Sequence, residues 1–262
     1  MVRWLGVSVN IYQIKGEDAM EPKPSIIVVS AHAADFIWRA GGAIALYADK
    51  GYRVRVICLS YGERGESGRL WKQPDMTLEK VKEVRRDEAG RAAEILGADI
   101  TFLDAGDYPL QPTQALMDTL VKEFRECQPE FVLTHAFKDP YNFDHPTAAD
   151  ITLQGRVYAQ ARGYPAPGEI IGAPPVFLFE PHQPEQCEFK VQLLLDITPV
   201  FDRKRQAMEV MAAQVHLIRY YVDLARRRGV QAKRNSGKVL AKEEVYAEAF
   251  QRVYPQVATE LV

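Results

Sequence analysis

Residues 25–42 read SIIVVSAHAADFIWRAGG: an apolar run, Ile26–Val29, ends at a serine, a histidine follows at 32 and an aspartate at 35. Consecutive isoleucines and valines, without a polar residue at alternate positions, describe a strand covered on both faces, the hallmark of a parallel sheet with helices packed on either side. From Asp35 to Asp49 the pattern turns helical. A buried strand that passes through a short turn into a helix is the opening unit of an alternating α/β chain, and the sequence repeats it.

A second apolar strand is predicted at Tyr52–Ser60, YRVRVICLS, followed by a glycine- and charge-rich loop, YGERGESGRLWKQPDM. The apolar spacing of Val81, Val84, Ala89, Ala92, Ala93 and Leu96 predicts a helix over Leu78–Leu96, closed by Gly97. DITFLDAG supplies a third strand, Thr113–Cys127 a third helix and EFVLTHA a fourth strand. Pro146 is placed to open the helix that runs through TAADITLQGRVYAQAR. VFLFEPHQ and FKVQLLLDIT read as further strands, and Pro199–Arg227 and Ala241–Val253 as closing helices, with ARRRGVQAKR as a solvated helix end and loop. The expected fold is therefore α/β, a Rossmann-like, mostly parallel sheet flanked by helices. One domain spans residues 25–262; residues 1–24 read as an N-terminal extension, with Met20 an alternative start.

The chain has 262 residues, 47% of them hydrophobic, and a formal net charge of −2, which gives no electrostatic footprint for nucleic acid. No stretch approaches the roughly 20 apolar residues of a membrane span. Three dispersed cysteines, Cys58, Cys127 and Cys187, form no metal or redox motif and fit a reducing cytoplasm. The expected partner is a small molecule, with neither nucleic acid nor membrane involved, and a homo-oligomer is the expected assembly.

Ligands of open parallel sheets lie beyond the carboxyl ends of the strands. The polar residues predicted there are His32 and Asp35 after the first strand, Glu63, Arg64, Glu66 and Arg69 after the second, Asp104 and Asp107 after the third, His135, Asn142, Asp144 and His145 after the fourth, and His182 after VFLFEP. Four of the five histidines thus fall on one rim, His216 being the exception. Two imidazoles and a carboxylate can hold a catalytic zinc, and His32, Asp35 and His145 supply that set. Equally, Asp35 can cap the helix it opens and His145 can be a plain loop residue.

The motif SAHAADF after a buried strand resembles the A-H-P-D-D motif of the LmbE-like (PIG-L) zinc-dependent N-acetylglucosamine deacetylases, and NFDHPTA resembles their later H-P-D-H segment. YGERGESG, RRDEAGRAAEILGA and LDITPVFDRKRQAMEVMAAQ match further family stretches, so the likeness covers most of the chain from Ser25. The resemblance implies an LmbE-like fold and Zn2+ on His32, Asp35 and His145, with another divalent ion compatible with such a set. It also exposes two departures. The family's general base, the aspartate preceding the ligand aspartate, is Ala34 here, and the first histidine of H-P-D-H is Asn142. A methyl group carries no proton.

One branch of the superfamily, the 4-oxalomesaconate hydratases of gallate and protocatechuate breakdown, has the same AHxADFxWRAGGAIALY form. This closer resemblance implies hydration of the carbon–carbon double bond of an oxo-tricarboxylate, giving 4-carboxy-4-hydroxy-2-oxoadipate. With position 34 silent, Glu66 and His182 are the expected proton-transfer pair, Glu63 and His135 the reserves, and His135 is also a candidate to orient a ligand. Arg64 and Arg69 are expected to hold substrate carboxylates and Asn142 to donate to the substrate, whereas Arg39 is expected to pair with Asp35 one turn away or to face solvent. The alternatives are a zinc deacetylase with a relocated base and a non-catalytic module that binds metal or sugar; Ala34 argues against the first, and the ionisable loop against the second.

Overall fold

Strand β1, Ser25–Ser30, is buried at all six residues because it lies in the middle of the sheet. The computed structural model describes residues 23–236 and 244–259, so all but the last two residues of the expected N-terminal extension lie outside it. After β1 come α1 (Asp35–Asp49), β2 (Arg53–Cys58), α2 (Leu78–Leu96), β3 (Asp99–Phe102), α3 (Gln114–Cys127), β4 (Phe131–Thr134), α4 (Asp144–Gln160), β5 (Val176–Phe179) and β6 (Leu193–Asp196). The chain closes with α5 (Phe201–Val210), α6 (Ile218–Asn235) and β7 (Ala247–Arg252). The sheet order is β3-β2-β1-β4-β5-β7-β6. The first five strands are mutually parallel, and β7 runs antiparallel to both β5 and β6. The α/β expectation holds.

Local chemistry sets the helix limits. Thr77 and Thr113 cap α2 and α3 by accepting the amides of Lys80 and Leu116. Gly97 ends α2 at φ 81°, where a side chain would be strained, as its position after Leu96 predicts. Apolar residues of β1, β2 and β4 point alternately into two cores. One core packs α1, α2, α5 and α6 on one face, and the other packs α3 and α4 on the opposite face.

Two expectations near the carboxyl end are corrected. Ala241–Val253 is not a helix: residues 241–243 lie outside the described residues, and Ala247–Arg252 is strand β7. Its alanines and glutamate favour a helix locally, but the gap between β5 and β6 offers two strand partners and burial of Ala247, Glu248, Ala249 and Phe250. Pro199–Arg227 is not one helix either. It divides into a 3₁₀ turn at Thr198–Val200, α5, a 3₁₀ segment at Ala212–Leu217, and α6, which extends through the basic run. The break comes where the Ala213 amide donates to the buried Glu88 carboxylate at 2.9 Å and Gln214 leaves helical geometry.

Glu248 and Lys204 tie this late part of the chain to α1. The Glu248 carboxylate accepts the amides of Gly42 and Ala43 at 2.7 and 2.8 Å, and Lys204 Nζ donates to Glu248 at 2.6 Å and to the Trp38 carbonyl at 2.9 Å. This ion pair lies across the hydrogen-bond ladder of the helix that carries Asp35. Gly42 is required there, because a Cβ at that position would stand 2.6 Å from the Ile197 side chain.

Candidate active site

The strand order reverses at β1, whose neighbours are β2 and β4, and a crevice opens beyond the carboxyl ends of strands at such a point. The turn after β1 delivers His32 and the first residue of α1, Asp35. The loop after β2 delivers Glu66. The loop after β4 and the first turn of α4 deliver Asp139, Asn142, Asp144 and His145. One ligand atom each from His32, Asp35, Glu66 and His145 lies within 4.8 Å of the others. The three residues expected as metal ligands are therefore brought together, and Glu66, expected as a proton carrier, joins them.

The hydrogen bonds aim these side chains at one point. His32 Nε2 is 3.1 Å from Asp144 Oδ2, which leaves Nδ1 facing Asp35 Oδ2 at 3.1 Å and Glu66 Oε1 at 3.2 Å. His145 Nδ1 is 2.8 Å from Asp139 Oδ2, which turns Nε2 toward Asp35 Oδ1 at 3.4 Å and Glu66 Oε1 at 3.8 Å. His145 Nε2 is buried and has no hydrogen-bond partner among the described residues. A carboxylate on the far nitrogen of each imidazole fixes the tautomer that presents a lone pair to a metal, and the orphaned Nε2 is a donor atom awaiting an acceptor of that lone pair. The residues fit a divalent ion.

Without an ion the cluster holds protons. Burial disfavours the charged form of His145, but Asp35 and the bond to Asp139 outweigh it and raise its pKa to about 9. His32 is likewise raised: burial acts downward, while the charge of Glu66 and bonds to Asp144, Asp35 and Glu66 act upward. Burial alone would favour protonated Asp35 and Glu66, yet the neighbouring histidines hold both carboxyls well below their ordinary range. His135 differs. Its Nε2 accepts the Ala31 amide at 2.9 Å, its ring stacks on His145 at 4.3 Å, and burial together with the charge of His145 keeps it neutral. It steadies the His145 ring from outside the four-residue cluster.

A cavity of about 270 Å³ opens over the cluster, and Asp35, Glu66, His145, Asn142 and His182 all line it. Asn142 Nδ2 donates to Glu66 Oε1 at 3.3 Å. His182 arrives from the end of β5 and stacks on Tyr220 at 4.1 Å; burial, and then the charge of Arg39, lower its pKa. The structure brings neither Arg64 nor Arg69 to this wall. The backbone amides of Arg64 and Gly65 donate to the Asp107 carboxylate and Arg64 Nη1 donates to the Asp107 carbonyl, while Arg69 donates to the Ala212 carbonyl. The loop folds onto Asp107, and its guanidinium groups stay outside the cavity. Glu63 is also absent from the wall, with its carboxylate buried against the Tyr61 amide.

Two contributors were not singled out in the sequence reading. Asp139 shows only as an acidic residue six positions before His145, in KDPYNFDH. Gln214 shows only as the last residue of the family-like stretch LDITPVFDRKRQAMEVMAAQ, with no role assigned to it. Its Oε1 accepts Arg85 Nη2 at 3.0 Å and Trp38 Nε1 at 3.4 Å, which leaves its amide nitrogen to donate to Glu66 Oε2 at 3.4 Å. Arg39 pairs with Asp35 as its spacing predicts, at 3.4 Å, and rather than facing solvent it is buried and lines the cavity. Ala34 is wholly buried and belongs to the apolar core, so no proton carrier stands where the deacetylase pattern has its base.

The sequence profile of PIG-L, GlcNAc-PI de-N-acetylase, matches residues 27–155, the stretch that contains the cluster. The 4-oxalmesaconate hydratase of Pseudomonas putida KT2440 is 55% identical over 240 residues, covering 92% of this chain and 93% of that protein. The chain belongs to the PIG-L family. The crystal structure of GalB, the 4-carboxy-2-hydroxymuconate hydratase from Pseudomonas putida KT2440, superimposes with a TM-score of 0.88 at 54% identity, over 91% of this chain and all of that one. The N,N'-diacetylchitobiose deacetylase from Pyrococcus horikoshii, at 19% identity, shares the fold with a TM-score of 0.71, over 87% of this chain and 83% of that one. This PIG-L family member thus carries the family's seven-stranded, mostly parallel architecture.

Proposed function

We propose that this protein is a metal-dependent hydro-lyase that adds water to the carbon–carbon double bond of 4-oxalomesaconate, giving 4-carboxy-4-hydroxy-2-oxoadipate. The observation that carries the reading is the 55% identity with the 4-oxalmesaconate hydratase, extending over 92% of the chain. The buried methyl of Ala34 supports it, because it withholds the base that amide hydrolysis by this family's pattern needs. The two substrate names from Pseudomonas putida KT2440 agree chemically: a 2-hydroxymuconate is the enol form of the corresponding oxo acid.

His32, Asp35 and His145 would hold the ion, with Glu66 close enough to join them. We take the ion to be zinc, since two imidazoles and a carboxylate suit it. When bound, it polarises an oxo or carboxylate oxygen of the substrate and stabilises charge developing in the conjugated system. The protein must then move two protons, one taken from the attacking water as its oxygen bonds to one alkene carbon, one delivered to the neighbouring carbon. Glu66 lines the cavity and is oriented by Asn142 and Gln214, which places it to accept the first. His182, on the wall of the same cavity, suits the second role, and the two exchange roles in the reverse direction. Asp139 and Asp144 hold the two ligand imidazoles in their required tautomers.

Incubating metal-loaded protein with 4-oxalomesaconate and following its conjugated absorbance tests the reading. The expected result is loss of absorbance with a product heavier by one water. Absence of turnover, or release of acetate from N-acetylglucosamine conjugates instead, overturns it.

A further inference from the structure

The cavity wall bears a single cationic side chain of arginine or lysine among the described residues, and it is Arg39. The residue is 8% exposed and its guanidinium is poorly satisfied. Nε lies 3.4 Å from Asp35 Oδ1 without forming a hydrogen bond, and the one hydrogen bond of the group among the described residues is a long one, Nη1 to the Glu180 carbonyl at 3.5 Å. Apart from Asp35, its ion-pair partner, the nearby carboxylates are engaged elsewhere. Glu180 is held by Arg228, whose Nε reaches both its oxygens, and Asp139 accepts from His145 and from the Tyr141 amide. Other buried arginines contrast with it: Arg85 bonds Glu88, Gln214 and the Tyr61 carbonyl, and Arg125 bonds three carbonyls.

A buried guanidinium with spare donors, one helical turn from a candidate metal ligand and facing a cavity, is a receptor for a planar anion. We infer that Arg39 binds a carboxylate of the substrate and sets the preference for a polycarboxylate at this site. This rests on the hydratase reading for the identity of the substrate. It assigns to Arg39 the part that the sequence suggests for Arg64 and Arg69, which the fold turns away.

The test uses full-length, metal-loaded protein of measured metal content and compares wild type with Arg39→Met and Arg39→Lys. Calorimetric titration with propane-1,2,3-tricarboxylate and with glutarate, which lacks one carboxylate, reports the preference. In R39M the tricarboxylate is expected to bind roughly 10- to 100-fold more weakly, the scale of a charged hydrogen bond, with a smaller change for glutarate. KM for 4-oxalomesaconate should rise by a similar factor and kcat less. R39K keeps a charge beside Asp35 but loses the fork, and is expected to fall between the two with its metal content unchanged. If R39M or R39K folds with full metal and keeps the wild-type KM and tricarboxylate preference, the assignment to Arg39 is overturned. Should the wild type fail to hydrate 4-oxalomesaconate, the proposed function falls, and the binding ratios still decide Arg39.

Discussion

At the scale of single residues, position 34 is an alanine, and the proposed hydration rests on Glu66 and His182 instead. Glu66→Gln and His182→Ala are each expected to lower kcat roughly 10²–10⁴-fold. Metal analysis of the same variants separates the two tasks open to Glu66: ion retained with activity lost makes it the proton acceptor, and ion lost makes it a ligand. His182 also predicts a pH profile. Burial and Arg39 favour its neutral form, so its folded pKa lies below the ordinary 6.5. As the proton donor His182 must be protonated, so the fall of kcat/KM that reports it should lie on the alkaline side with its midpoint below pH 6.5, and it should vanish in the residual activity of His182→Ala. The sign for stability is opposite. A histidine with a depressed folded pKa supports the fold above its unfolded value and loses that contribution as the pH falls through the folded one.

At the scale of elements, α1 is held in place by a lysine and a glutamate from distant parts of the chain. Lys204→Met leaves the Glu248 carboxylate buried against the Gly42 and Ala43 amides without its counter-charge. Breaking such a pair costs about 3–5 kcal/mol, which denaturant titration of the variant should register. Combining it with Glu248→Gln is expected to recover part of that loss, since no lone buried charge remains. These elements also mark what the sequence makes legible. β1, α2 with its Gly97 end, and the turn bearing His32 and Asp35 are written in local patterns of burial, capping and φ. β7 is not, because alanine and glutamate become a strand only when β5 and β6 lie on either side. The same holds for Gln214, which is turned inward by Arg85 and Glu88, more than a hundred residues earlier. Arg39 has an ordinary i,i+4 spacing to Asp35, and its exposure to a cavity depends on strands and helices that the local sequence does not contain.

At the scale of the whole molecule, the sheet gathers groups from residue 32 to residue 214 at one reversal of strand order, and a metal ion would bind only the assembled arrangement. Zinc at 100 times its dissociation constant is expected to add about 2.7 kcal/mol of stability, visible as a higher melting temperature that chelation reverses. Since His145 without an ion titrates near 9, metal uptake at neutral pH should release protons, measurable by calorimetry in buffers of different ionisation enthalpy. Helix α1 has a further consequence. Its residues from Asp35 to Ala45 are all buried, so it has no wet face along which to bend or slide. Four residues of rise fix Asp35 and Arg39 about 6 Å apart along the helix axis. The helix is in effect a ruler: an acid must reach both the ion that Asp35 would hold and the Arg39 guanidinium, and length becomes a criterion of selection alongside charge.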